Sequence, residues 1–196
     1  MSERNKQLVS FVLDSGVALP TEKLAALTKG FERLLAEENS LLEWELLCLD
    51  GFCPAVVKGF EDKALSPVRA GGLPLISRAL ESAAARLTSR AAALQSEHLP
   101  WLILLSAGYS LDDPAPAISA LEMEKRVVYL PFKLSPVLHT EGMRAADRVK
   151  HMITIKEDGI DGFFAFFDEL LARRAQAGGE SGLKFRKNDF EGWGEL

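Results

Sequence analysis

Long apolar runs, basic stripes, cysteines and histidines are all scarce in this chain, and each scarcity removes a class of function. The longest apolar stretch, Trp101 to Leu105 with its neighbours, falls far short of the roughly twenty residues needed to cross a bilayer. The polar start, Met1 to Lys6, has no apolar core of about ten residues such as a secretory signal carries. With a net charge of -5 and a pI near 5.3, the chain has no phosphate-binding face: Arg69, Arg78, Arg86 and Arg90 are interleaved with acids and apolar residues. These absences predict a cytoplasmic protein with neither a nucleic-acid nor a membrane partner. The three histidines, His98, His139 and His151, are scattered, and Ser15, Ser106 and Ser110 lie outside any Gly-x-Ser-x-Gly context. No nucleophile, base or catalytic residue is thereby indicated. Gly71-Gly72 is not followed by the Lys-Ser/Thr of a phosphate loop, so no cofactor and no small-molecule substrate are expected.

What is present is enough apolar residue for one core: 47% of 196 residues are hydrophobic, which suits one domain and is too little for two. Gln7 to Leu13 reads as a central strand covered on both faces. Thr21 then caps a helix whose Leu24, Leu27, Phe31, Leu34 and Leu35 share a face. Strands over Leu42 to Leu49 and Phe52 to Phe60 flank Asp50-Gly51, a two-residue hairpin signal. That turn would set Cys48 opposite Cys53, within reach of a disulfide, although two packed thiols are the default in a reducing compartment. A helix over Pro74 to Leu94 follows, then a strand at Trp101 to Leu105, a helix over Ala115 to Glu124 and a strand at Arg126 to Leu130. Ala145 to Ile155 reads as a short helix and a last strand, and Gly162 to Ala175 as a helix rich in phenylalanine. Phe163, Phe164, Phe166 and Phe167 span too wide an arc for one stripe, so at least one should pack against a neighbouring element. The alternation predicts a three-layer, doubly wound α/β fold whose mostly parallel sheet has one antiparallel edge strand, Rossmann-like in plan.

Three loops carry the strongest functional signal. Asp14-Ser15-Gly16-Val17-Ala18 follows the first strand, Ala70-Gly71-Gly72-Leu73-Pro74 precedes the second helix, and Ser106-Ala107-Gly108-Tyr109 follows the strand at Trp101. In order and spacing they resemble the metal-ion-dependent adhesion site of von Willebrand factor A (VWA) domains, and the order of elements from Lys6 to Ala175 agrees with that family. The family pattern is Asp-x-Ser-x-Ser, then Thr, then Asp. Here those positions read Asp14, Gly16, Ala18, Leu73 and Ala107, so only Asp14 keeps an oxygen ligand. Magnesium needs about six oxygens, which implies a degenerate site with no bound metal. The compact length and the Ala70-Gly71-Gly72 loop look most like bacterial intracellular VWA proteins of the tellurium-resistance type, whose resemblance implies an interaction module in a stress-response or signalling system.

Ligands of such sheets bind beyond the carboxyl ends of the strands, where the crest would carry Asp14, Ser15, Leu19, Leu73, Tyr109, Leu111, Asp112 and Asp113. Apolar and aromatic groups rimmed by carboxylates suit a protein partner; equally, Leu73 and Tyr109 would fill the void left by an absent ion. Ser15 is one residue out of step with the family serines and should point away from Asp14, while Asp112 and Asp113 suit the start of the helix at Ala115. Residues 1–177 form the expected VWA-like domain, and 178–196 a Gly-rich linker and aromatic tail. Phe185, Phe190 and Trp193 in that tail predict docking on this domain or on a partner. The best-supported function is a non-enzymatic interaction or scaffold module contacting another protein through Asp14, Ser15, Leu73, Tyr109, Asp112, Asp113, Phe190 and Trp193. The alternatives are a cation-dependent VWA domain with a remodelled site and a small hydrolase or nucleotide-binding enzyme, although the second acid that haloacid-dehalogenase-like enzymes need is Gly16 here.

Overall fold

The structure, a computed structural model, describes residues 5–16, 19–37, 39–50, 53–71, 74–134, 144–145, 153–176, 185 and 187–195. Its centre is strand β1 (Gln7–Leu13), every residue of which is buried. That burial explains the near-continuous apolar sequence, because a central parallel strand meets a covering layer on both faces. β1 pairs in parallel with β2 (Leu42–Asp50) on one side and β4 (Trp101–Ser106) on the other. β3 (Cys53–Lys58), β6 (Val128–Leu134), β8 (Ile153–Ile155) and β9 (Gly194–Glu195) complete a seven-stranded sheet in the order β3-β2-β1-β4-β6-β8-β9. Two further short strands, β5 (Tyr109–Ser110) and β7 (Arg144–Ala145), pair with each other outside it. The main sheet is parallel except at its edges, where β3 runs antiparallel on β2 and β9 antiparallel on β8. β3 is the antiparallel edge strand anticipated from the hairpin; β9 is an additional one.

Side-chain alternation along β1 divides the core in two. Val9, Phe11 and Leu13 face the layer of α1 (Thr21–Ala36) and α4 (Ile160–Gln176), whereas Leu8 and Val12 face α2 (Ile76–Leu94) and α3 (Ala115–Glu124). The α1–α4 side is aromatic. Phe11 lies edge-on to Phe31 at 5.1 Å and to Phe167 at 5.2 Å between ring centroids, arrangements that add to area burial. The four phenylalanines of α4 divide as their wide arc required: Phe167 meets the sheet, Phe164 meets Phe31 of α1 at 5.3 Å, and Phe163 and Phe166 meet Trp193 at 6.2 and 5.1 Å.

On the α2–α3 side the sequence pattern concealed an ionic layer. Glu45 of β2 is fully buried; it accepts hydrogen bonds from Ser10 Oγ and Arg86 Nε, both at 2.8 Å, and Arg90 Nε of α2 holds Glu43 at 2.6 Å. Burial pushes the Glu45 carboxyl above its ordinary range, and the bonds from Arg86 and Ser10 oppose that shift. Across the strand Lys58 is buried too, donating to the carbonyls of Trp44 (2.7 Å) and Gly59 (3.0 Å), with its ammonium 4.5 Å from the centre of the Trp44 ring.

Several expectations need correction. The hairpin pairs Asp50 with Cys53 and Cys48 with Ala55, so the register differs by two residues from the one that the Asp50-Gly51 signal implied. Cys48 therefore pairs with Ala55 and is buried in the core, Cys53 is exposed at the rim, and the two are not joined by a disulfide. β6 continues past Leu130 to Leu134 because β8 pairs only from Phe132 onward, leaving Pro131 without a ladder neighbour on that side, where its missing N–H costs nothing. The short helix expected after Ala145 falls mostly outside the described residues, and Ala145 itself is in β7.

The tail is docked, not projecting. Phe190 and Trp193 are 2% and 8% exposed, buried against Phe166, Phe163 and Phe132. Of the two docking modes the sequence allowed, the described residues adopt the one on this domain, so Phe190 and Trp193 do not form an open contact surface.

Gly30 of α1 sets the α1–α4 distance: a Cβ there would lie 1.9 Å from Cε2 of Phe164. Gly30→Ala should gain about 1 kcal/mol of helix propensity and lose about 1–3 kcal/mol to overpacking. A net loss in urea unfolding is expected; a net gain would show that the two helices can separate freely.

Candidate functional site

The loops at the carboxyl ends of β1 and β4 meet around Asp14, which is 1% exposed. Because β1 is covered on both faces, the residue at its end is drawn inside with it. Burial raises the Asp14 carboxyl above its ordinary value, opposed by three hydrogen bonds. Oδ1 accepts from the Gly16 N–H at 3.0 Å, and Oδ2 accepts from Ser106 Oγ at 3.0 Å and the Ala107 N–H at 3.3 Å. Ser106 Oγ in turn accepts from the Gly108 N–H at 3.0 Å. These neighbours are hydrogen donors. They suit a carboxylate, whereas a hard divalent cation needs further oxygens, and the side chains of Gly16 and Ala107 have none.

Backbone bonds join the loops into one crest. The Asp14 N–H donates to Leu105 O at 2.8 Å, the Gly71 N–H to Ser15 O at 2.9 Å, and the Leu111 N–H to Pro74 O at 2.9 Å. Ser15, buried as well, turns its hydroxyl to Leu49 O at 3.1 Å, away from Asp14. Gly71 and Gly108 have φ of 97° and 85°, the left-handed region that glycine enters without steric cost.

Asp113 accepts from the Ala115 N–H at 3.1 Å and so serves the start of α3 as anticipated. Asp112 belongs elsewhere: its Oδ1 and Oδ2 accept from the N–H groups of Ser77 and Arg78 at 3.2 and 3.4 Å, at the start of α2. Ser110 supports it, with Oγ 2.5 Å from Asp112 Oδ1 and 2.9 Å from Pro74 O. The helix-starting reading of Asp112 thus named the correct chemistry on the wrong helix, because spacing along the chain cannot reveal a neighbour 35 residues distant.

The expected contact residues therefore separate. Asp14 and Ser15 are buried, Asp112 and Tyr109 are half-buried, and Asp113 is exposed. Leu111 beside them is 48% exposed, one of the few large apolar side chains so open among the described residues. Leu73, with Val17 and Ala18, lies outside the described residues. β5 brings Tyr109 into a backbone pairing with Ala145, so the β6–β8 connection reaches the crest. Sequence reasoning missed Lys23: 5% exposed, it donates to the Lys156 carbonyl at 3.4 Å and ties α1 to the loop after β8. Burial lowers its pKa, opposed by Glu157 and Asp158. Its position on the apolar side of an amphipathic helix was the available signal.

Strand order and crest together define an open, doubly wound sheet whose loops converge at one end. No protein-family model matches the chain, and no curated protein does. Solved structures do. The chain is similar to the SpRpn10 VWA domain, with a TM-score of 0.50 and 9% identity over 67% of this chain and 76% of that one. It is similar to a von Willebrand factor type A protein from Catenulispora acidiphila, with a TM-score of 0.61 and 15% identity over 87% of this chain but 43% of that one. It also resembles an aerotolerance-related membrane protein from Bacteroides fragilis bearing multiple mutations to serine, with a TM-score of 0.56 and 12% identity over 85% of this chain and 99% of that one. The chain has the VWA fold. Among the described residues no helix is long and apolar enough to cross a membrane.

Because the folded-state pKa of Asp14 is raised, its ionisation opposes folding. That penalty is absent below the unfolded value of 3.8 and grows as pH rises through the folded value. The stability of the wild type minus that of Asp14→Asn should therefore fall as pH rises above the unfolded value of 3.8, read by urea unfolding. A difference that rises with pH would contradict the assignment. Asp14→Ala, which leaves buried donors unpaired, should cost about 1–3 kcal/mol.

Proposed function

We propose that this chain is a non-enzymatic interaction or scaffold domain that contacts another protein through its crest without a bridging metal. The observation that carries the reading is the state of Asp14: it stands where a metal ligand stands in the VWA pattern, and its carboxylate is enclosed by donors of its own chain. The fold supports a protein-interaction domain in general terms. The exposed Leu111 and Asp113, beside Tyr109, give the crest an apolar centre with an acidic rim, the composition of a contact surface. The Ala70-Gly71-Gly72 loop, similar to that of tellurium-resistance-type proteins, extends the proposal to a bacterial stress-response or signalling setting in the cytoplasm.

The test uses the intact chain as bait in a lysate of its own source, with wild type beside the double variant Leu111→Asp, Tyr109→Ala. Specific partners should be retained by the first and lost by the second, with melting temperatures within a few degrees of each other, as for surface changes near ±0.5 kcal/mol. Equal retention by both would overturn the crest as the contact surface.

A further inference from the structure

The C-terminal segment sits in a seat built for it, and none of the contacts described there depends on the connection, 177–184, that joins the two. Three features make the seat. First, β8 offers an open edge, which β9 covers by pairing Glu195 with Thr154 and Gly194 with Ile155; the Lys156 N–H adds a bond to the Trp193 carbonyl at 3.0 Å. Second, Gly159 and Gly162 make room for Trp193. A Cβ at Gly162 would lie 2.3 Å from Trp193 Cβ, and one at Gly159 would lie 2.2 Å from the Trp193 carbonyl oxygen. Third, Arg173 grips Asp189 with two guanidinium nitrogens, at 3.1 and 2.9 Å, in the fork geometry that gives such pairs their specificity. The Asp189 side chain is 5% exposed there. An edge strand, an aromatic anchor in a glycine-lined recess and a charge clamp are the parts of a strand-addition peptide site.

We propose that this seat also takes the C-terminal segment of a second copy, giving a dimer by reciprocal exchange of residues 187–195. The second copy is the occupant because the seat is complementary in shape and charge to this segment: the recess matches Trp193 and the clamp matches Asp189. Connections that join such a segment to its own seat hold it at an effective concentration of about millimolar, so the intramolecular form prevails in dilute solution. Exchange becomes visible when the internal contact is weakened and the external one is not. The surface is separate from the crest, and this inference does not depend on the function proposed for it.

Two full-length chains provide that condition. In Arg173→Asp the clamp and its own Asp189 repel, and in Asp189→Arg the new cation meets its own Arg173. Mixed together, each chain offers the other a matching pair at both seats. Each variant alone should run at monomer mass, and the equimolar mixture should double in mass, measured by light scattering. A mixture that stays at monomer mass overturns the proposal, as does dimerisation of either variant alone. If circular dichroism shows that the charge reversals unfold the chain, the unmodified chain is held at about 1 mM, matching the effective concentration, and then diluted. A persisting dimer that is lost in Gly162→Val supports the exchange; a monomer throughout contradicts it.

Discussion

One buried carboxylate organises the loops at the carboxyl end of this sheet. Asp14 follows a strand with no exposed residue, so its charge enters the interior and must be satisfied there, because an unpaired buried ion costs far more than any single contact returns. The donors come from the first and third loops: the Gly16 N–H, the Ser106 hydroxyl and the Ala107 N–H. Meeting that demand draws the two loops together, and the Gly71 to Ser15 bond brings the second loop to them. The crest is thus held together by the chain's own polar groups.

The opposite requirement, burial of aromatic area, shapes the flank. α4 presents phenylalanines to α1, to the sheet and to the tail, and Gly30, Gly159 and Gly162 mark the places where a ring or a backbone group approaches too closely for any Cβ. The tail is integral to this packing. Phe190 and Trp193 complete the aromatic cluster on the last strand of the parallel run, and β9 closes an edge that would otherwise present free backbone groups to other chains.

The fold was legible in the sequence because its signals are local: the apolar run Gln7 to Leu13, the three- and four-residue spacing after Thr21, and small residues at each strand end. The bounds of the helix over Ala115 to Glu124 were recovered to the residue. What was not legible depended on pairing at a distance. Asp50-Gly51 signalled a hairpin correctly, but the strands pair two residues out of the implied register, and with that went the opposition of Cys48 and Cys53. Nothing in the sequence pairs Glu43 and Glu45 with a partner; only the packing of α2 shows Arg90 and Arg86 arriving to meet them. For the same reason the choice of Asp112 for α2 over α3 could not be read from spacing.

The central claim is that the crest operates without a divalent cation, and thermal unfolding of the intact chain in EDTA against millimolar magnesium, manganese or calcium tests it most directly. A cation bound at a hundredfold excess over its dissociation constant would add about 2.7 kcal/mol of stability, a shift of several degrees. The account predicts no shift with any of the three. A shift of several degrees that disappears in Asp14→Ala would contradict it and restore Asp14 as a metal ligand.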